Sequence, residues 1–421
     1  MKKQFGLILG ILAAVLSWAQ PIKVEIRINE AGKFTLLRNG APYYINGVGG
    51  DAYMETTKEC KANSIRLWGP EKAQEVLDLA QKNGLTVMLG LWMAPERHGF
   101  DYSDPIACQD QLEQFKSVVN RFKNHPALLL WGVGNEMDLE YTDFSVWKAV
   151  QNIAEMIHLE DPNHPTCVVT AGIDPAEVHL IKTHCPAIDM LGVNTYGDLP
   201  GLADKIRQFG WTKPYLVTEW GPNGHWEVQK TSWNSPIEQT STQKQETYRE
   251  RYLTNILADT GLCLGSYAFL WGEKQETTPT WYGTFVGENK TGAVHELKQL
   301  WSGTPFNDPC PKITNYRFKG KLPSESVKLK KGEKIEVALQ LENEPDAIGN
   351  ITWELMPEST FTGVGGDAEQ KPEAIQTSLK KTGAGQYSFR APYAKGPYRL
   401  FVYVKNGKGS IATANFPFLV E

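Results

Sequence analysis

Two carboxylates in this chain stand where carboxylates do chemistry. Glu136 closes residues 127–136, ALLLWGVGNE, and Glu219 closes residues 215–219, YLVTE. Each apolar run suits a strand buried on both faces, as in a parallel sheet. Gly132 and Gly134 let the first run turn tightly at its end. A carboxylate then lies at a carboxyl-terminal strand end, where barrel enzymes place their chemistry. Two carboxylates across one pocket are the equipment for glycoside hydrolysis. One protonates the leaving oxygen, and the other attacks the anomeric carbon or activates water. The Asn-Glu dipeptide carries no signal alone, because Asn29-Glu30 and Asn343-Glu344 lie in polar, turn-like surroundings. A lone strand-end glutamate is more often a salt-bridged structural residue. Two of them on suitable strands reverse that weighting.

The elements that must hold these residues repeat as strand, then helix. Strand patterns fall at 44–49, 64–68, 85–92, 127–134, 166–171, 188–194, 215–219 and 264–271. Helical periodicity appears between them, for example at 71–83, 106–123, 146–159, 243–258 and 294–301. The pattern predicts an α/β fold, a (β/α)8 TIM barrel in which Glu136 ends the fourth strand and Glu219 the seventh. An open doubly wound sheet is disfavoured. Its glycine-rich phosphate loop has no counterpart, since Gly47-Val48-Gly49-Gly50 runs straight into Asp51-Ala52-Tyr53. Before the barrel, residues 23–43 read as a strand pair, with Asn39-Gly40 as a hairpin turn. After residue 302 a turn-rich linker leads into short alternating strands separated by Gly, Asn and Pro. These predict a small all-β sandwich of immunoglobulin-like type, packed on the barrel as a stabilising module. The predicted divisions are a leader over 1–19, the barrel with its hairpin over 20–303, and the sandwich over 304–421.

The strand-end residues resemble those of the clan A glycoside hydrolases, over roughly residues 40–301. The resemblance rests on Asn135-Glu136 after the fourth strand and Glu219 after the seventh. It implies retention of configuration, with Glu136 as general acid/base and Glu219 as nucleophile. It further implies that Asn135 bonds the sugar 2-hydroxyl and that Arg66, in SIRLWG, keeps the nucleophile ionised. Tyr196, in GVNTYG, is the implied hydroxyl donor to the nucleophile, with Asn194 the competing choice. Trp271, in YAFLWG, matches the tryptophan flooring the subsite that is cleaved. The layout is most similar to family 158, whose activity is endo-β-1,3-glucan hydrolysis. The barrels of families 2 and 5 are also similar. The chain departs from family 2 in lacking large N-terminal sandwich domains, and from family 5 in having Trp92 where a histidine closes the third strand. Substrate assignment is what those departures leave open.

Composition narrows the field further. The net charge of −5 in 421 residues is spread along the chain, and no basic patch suggests nucleic acid or a membrane surface. Tryptophans are abundant, at 13. Trp68, Trp92 and Trp220 follow strands on the catalytic face and are expected to line a glycan cleft, because an indole face stacks on the apolar face of a pyranose. Eight histidines show no HExxH spacing and no Cys/His cluster, so neither a metal nor another cofactor is expected. Six cysteines are irregularly spaced and suggest no pairing; Cys167 and Cys263 sit in apolar runs and read as buried thiols. Lys2 and Lys3, an apolar run over 5–16 and Ser17-Trp18-Ala19 read as a signal peptide. The expectation is therefore a secreted or periplasmic monomer acting on a β-glucan, with no membrane span after cleavage. Rival readings are a glucan transglycosylase on the same site, a hydrolase of β-mannan or another β-glycan, and a glycan-binding protein without turnover.

Overall fold

The computed structural model describes residues 21–342, 350–360 and 363–421. The leader expected over 1–19 and the Asn343-Glu344 pair lie outside them. The chain begins with an antiparallel hairpin, β1 (Val24–Ile28) and β2 (Phe34–Arg38), with a short β3 (Ala41–Pro42) beside it. Asn39 and Gly40 between β2 and β3 both take positive φ, 51° and 76°, which is the two-residue turn that an Asn-Gly pair favours. Val24 and Leu36 pack into the inner barrel core with Ile45, Met88, Leu130 and Tyr267. The Val24 amide donates to Asn163 O, and the Phe34 amide to Gly261 O, both just ahead of barrel strands. The hairpin therefore plugs the amino-terminal mouth, and the opposite mouth stays free for chemistry.

Eight parallel strands close the barrel: β4 (Ile45–Gly49), β5 (Ser64–Leu67), β6 (Thr86–Leu91), β7 (Leu128–Val133), β8 (Thr166–Ala171), β9 (Met190–Asn194), β10 (Tyr215–Trp220) and β11 (Cys263–Ala268). They pair in sequence order, and β11 closes on β4. Each coincides with an apolar run of the sequence, because a barrel strand is covered inside by the barrel core and outside by helices. Helices α1 (Met54–Glu59), α2 (Ala73–Asn83), α3 (Pro105–Phe122), α4 (Ser145–Glu160), α5 (Pro175–His184), α6 (Leu202–Gln208), α7 (Ser241–Arg251) and α8 (Gly292–Ser302) make that cover. Their starts are set locally. Asp104 accepts from the Ile106 and Ala107 amides ahead of α3, with Pro105 at the first helical position. Thr240 and Gln243 cap α7 reciprocally. The long helical pattern at 243–258 resolves into α7 followed by a π turn, Tyr252–Ile256, and a 3-10 turn, Leu257–Asp259. Among the described residues, no helix is long and apolar enough to cross a membrane, and all six cysteines are free thiols.

A short pair, β12 (Phe285–Val286) and β13 (Asn289–Lys290), follows the barrel strands. The chain then builds two four-stranded sheets from β14 (Ile313–Phe318), β15 (Lys328–Leu329), β16 (Lys334–Leu341), β17 (Asn350–Pro357), β18 (Lys380–Gly383), β19 (Gln386–Arg390), β20 (Gly396–Lys405) and β21 (Ile411–Val420). The orders are β14-β16-β19-β18 and β15-β21-β20-β17. In β16 the alternation puts Ile335, Val337 and Leu339 inside and Lys334 and Glu336 outside. Phe318 of one sheet stacks on Phe416 of the other at 4.0 Å, so one core serves both. The edge strand β15 runs parallel to β21.

The sheets dock on the barrel through buried polar groups. Glu238, ahead of α7, accepts from Lys244 Nζ at 2.6 Å, from Thr280 Oγ1 at 2.8 Å, and from the Asn415 amide of β21. Arg399 of β20 donates to Asn415 Oδ1 at 2.7 Å and to Pro236 O at 2.9 Å. Removing one member of such a set leaves an unpaired buried charge. Glu238→Ala is expected to destabilise the protein by about 3–5 kcal/mol, read as a drop in the denaturant midpoint. An unchanged midpoint would show that the join carries no such burden.

Candidate active site

Glu136 reaches the pocket through a sharp exit from β7. Gly134 has φ 71° and Glu136 itself has φ 51°, a left-handed conformation costing roughly 1–2 kcal/mol for a residue with a side chain. A Cβ on Gly134 would stand 2.8 Å from Met137 Cγ, so the glycine is required there. The Glu136 amide donates to Val169 O on β8 at 2.9 Å, which pins the turn. Glu219 needs no such device, because it lies on β10 with its side chain inward.

Arg66, at the end of β5, holds the two carboxylates in one network. The residue is 2% exposed. Nη1 donates to Glu219 Oε1 at 2.9 Å, to Thr218 O at 2.8 Å and to Asn194 Oδ1 at 3.2 Å. Nη2 donates to Asn135 Oδ1 at 2.6 Å. Asn194 Nδ2 then donates to Glu136 Oε1 at 2.8 Å. Glu219 receives two further donors, Trp68 Nε1 on Oε1 at 2.9 Å and the Tyr196 hydroxyl on Oε2 at 2.8 Å. The carboxyls are thus treated unequally. Glu219 has the buried Arg66 cation and two further donors on its oxygens. Glu136 has one amide. Burial, and after it the charge of Glu219, push its carboxyl up to about 8. Burial and the same charge raise the Tyr196 hydroxyl well above its ordinary value, so it remains a donor.

Asn135, Arg66, Asn194, Tyr196 and Trp68 therefore gather on the two glutamates, and Trp92 lines the same cavity of about 680 Å3. Asn194 and Tyr196 do not compete. Tyr196 serves Glu219 and Asn194 serves Glu136. Asn135 Nδ2 has no protein acceptor among the described residues and is available to a ligand. Two expectations need correction. Trp220 follows Glu219 on the strand, so alternation turns it outward, where it packs against Tyr248 and Tyr252, fully buried. Trp271 lies beyond the end of β11 and is buried against Phe285 at 5.1 Å. The ring presented to the cavity from β11 is Phe269, backed by Tyr196 and Tyr282. The parity of Tyr267, Phe269 in the strand pattern carried that information. Lys274 and Glu276, paired at 2.9 Å, also line the cavity, as do His225, Trp226 and Glu227. So do residues 363–366 of the sandwich, for which the sequence offered no signal.

Residues 52–260 match the family model described as glycosyl hydrolases family 2, TIM barrel domain. Curated relatives include the β-glucuronidase of Sus scrofa, 26% identical over 207 residues, covering 44% of this chain and 29% of the relative. That of Paenibacillus borealis is 26% identical over 189 residues, covering 39% and 30%. The chain spans under a third of the length of these relatives. Among solved structures, β-D-glucuronidase from Dictyoglomus thermophilum aligns with a TM-score of 0.52 at 22% identity, covering 67% of this chain and 54% of that one. Bacteroides uniformis β-glucuronidase 2 aligns at 0.51 and 16% identity, covering 94% and 48%. These structural likenesses speak for the fold. The barrel thus matches the family 2 TIM-barrel domain of the glycoside hydrolases, within clan A. The family supported is family 2 and not family 158.

A carboxyl whose proton is held by burial and by a neighbouring charge must respond to that charge. Carbon-13 carboxyl titration is expected to place Glu136 near pH 8, and Glu219→Gln is expected to move it downward, since the neutral amide no longer opposes ionisation. An upward or absent shift would disprove the coupling.

Proposed function

We propose that the protein is an exported, retaining β-glycoside hydrolase acting on a neutral β-glucan, with β-1,3 linkages favoured and cleavage within the chain. The observation that carries this reading is the single hydrogen-bonded network holding one carboxylate against a cation and the other beside an amide. In the first step Glu219 Oε2 attacks the anomeric carbon. The bond to the leaving oxygen breaks, and that oxygen takes the proton from Glu136. The glycosyl ester removes the charge of Glu219, which lowers the proton affinity of Glu136. Glu136 then takes a proton from water as the water attacks the anomeric carbon and the ester bond breaks. In this reading Asn135 Nδ2 bonds a sugar hydroxyl beside the reacting carbon. Phe269 and Trp68 supply apolar walls. The trailing pair of four-stranded sheets is read as immunoglobulin-like.

The β-glucuronidase relatives suggest a second substrate, a β-glucuronide. Charge counts against it here. Glu136, Asp198, Glu219, Glu227 and Glu276 line the cavity, and the one lysine there among the described residues, Lys274, is held by Glu276 and by Gly366 O. Burial also pulls the proton affinity of His225 down, so it offers no cation near neutral pH. A substrate carboxylate would enter among these five carboxylates, which is costly.

Hydrolysis of laminarin is expected to yield a ladder of oligosaccharides and to exceed release from p-nitrophenyl β-glucuronide. The reverse preference would move the assignment to the glucuronide. Glu219→Ala is expected to abolish turnover, and azide to restore it as an inverted glycosyl azide. Glu136→Ala is expected to lose about 10²–10⁴-fold in rate on laminarin, with far less loss on a dinitrophenyl glycoside that needs no protonation.

A further inference from the structure

Residues 363–369, which lie between β17 and β18 in the chain, reach the barrel mouth. Four contacts hold them there. Lys274 Nζ donates to Gly366 O, and the Thr277 amide donates to Glu369 Oε2 at 2.7 Å. Asp367 lies 3.2 Å from His98 Nε2 and 3.7 Å from Arg97 Nη2. The Gly363 amide donates to Glu369 Oε1 at 3.1 Å and closes the loop on itself. The anchors come from opposite sides of the mouth, since Arg97 and His98 follow β6 while Lys274 and Thr277 follow β11. Between them Val364, Gly365 and Gly366 face the cavity.

Gly365 lies against the acid/base residue itself. Its φ is 58°, and a Cβ there would stand 3.1 Å from Glu136 Oε2, 3.0 Å from Leu139 Cδ1 and 2.8 Å from Arg97 Nη2. Only glycine fits. Glu136 Oε1 is occupied by Asn194. Oε2 has no donor among the described residues, so it is the oxygen free to carry the proton. Proton transfer requires the glycosidic oxygen beside Oε2. The group that departs with that oxygen must therefore lie along the surface next to Oε2, where Gly365 and Leu139 meet, and Trp92 and Val364 line the same cavity.

We propose that residues 363–367 of the sandwich form the wall of the leaving-group subsite, so that the second domain selects which glycosyl groups the barrel can release. The occupant is a sugar ring whose apolar face lies on Trp92 and whose edge meets Val364 and the Gly365 peptide. The sandwich is then part of the substrate site as well as a support for the barrel. This rests on the assignment of Glu136 as proton donor.

The test compares two substrates that fill the glycone side alike. Laminaritetraose departs with a sugar, and β-laminaribiosyl fluoride departs with a single atom. The quantity read is the ratio of kcat/KM on the first to kcat/KM on the second. Val364→Trp narrows the wall, and Asp367→Ala/Glu369→Ala unfastens it. Each is expected to lower that ratio by about tenfold or more, as misfit in a binding pocket does. Val364 is partly exposed and the anchors lie on the surface of the mouth, and either variant decides the matter if the other fails to fold. A ratio equal to that of the unaltered protein in both overturns the proposal. Glu219→Ala serves as a separate check: if it still hydrolysed the fluoride, the catalytic assignment would fall, whatever the loop variants did.

Discussion

The arrangement depends on one buried guanidinium. Arg66 is almost without solvent, and three strand ends converge on it: β7 through Asn135, β9 through Asn194, and β10 through both Glu219 and the Thr218 carbonyl. A cation in that position requires a counter-charge, and Glu219 supplies it. The pair has no capacity for a second anion nearby, so Glu136 retains a proton. The difference between the two glutamates is therefore a consequence of charge balance in a low-dielectric space. It follows from Arg66 standing under one carboxyl and not the other.

Much of this was legible in the chain. A strand covered on both faces has to be apolar throughout, so eight apolar runs between helical patterns specify eight barrel strands. A charged residue at the end of such a run must face the open mouth. That places Glu136 and Glu219 without any structure. The same rule, applied strictly, also places Trp220. Successive residues on a strand alternate, and with Glu219 inward Trp220 must point to the helices. Trp271 was less legible. The alternation through Tyr267 and Phe269 would carry it inward too, but the strand stops at Ala268, and the turn closed by the Gly272 amide on Leu270 O redirects the chain. The sandwich loop could not be read at all. Its contacts with Arg97, Lys274 and Glu136 join residues far apart in the chain, and nothing in a Val-Gly-Gly stretch signals where it docks.

The docking has its own logic. The sandwich meets the barrel through Glu238, Lys244, Asn415 and Arg399, all buried. Apolar contacts tolerate small slips, but hydrogen-bonded buried charges do not, because each displacement leaves a charge without its partner. A join of this kind fixes the orientation of one domain on the other. Residues 363–369 hang from the sandwich, and their approach to Glu136 is set by that orientation. A small error there would drive Gly365 into the carboxyl or leave the wall open.

This gives the glycines of the site a common reason. Gly134 allows β7 to turn so that Glu136 points into the mouth, and Gly365 allows a second domain to come within contact of that same side chain. One shapes Glu136 from behind, and the other bounds the space in front of it. Between them the Glu136 carboxyl has one oxygen tied to Asn194 and the other without a donor among the described residues, beside the cavity. A carboxyl so confined has few orientations to lose when a substrate arrives. The entropic cost of fixing that carboxyl is met when the chain folds.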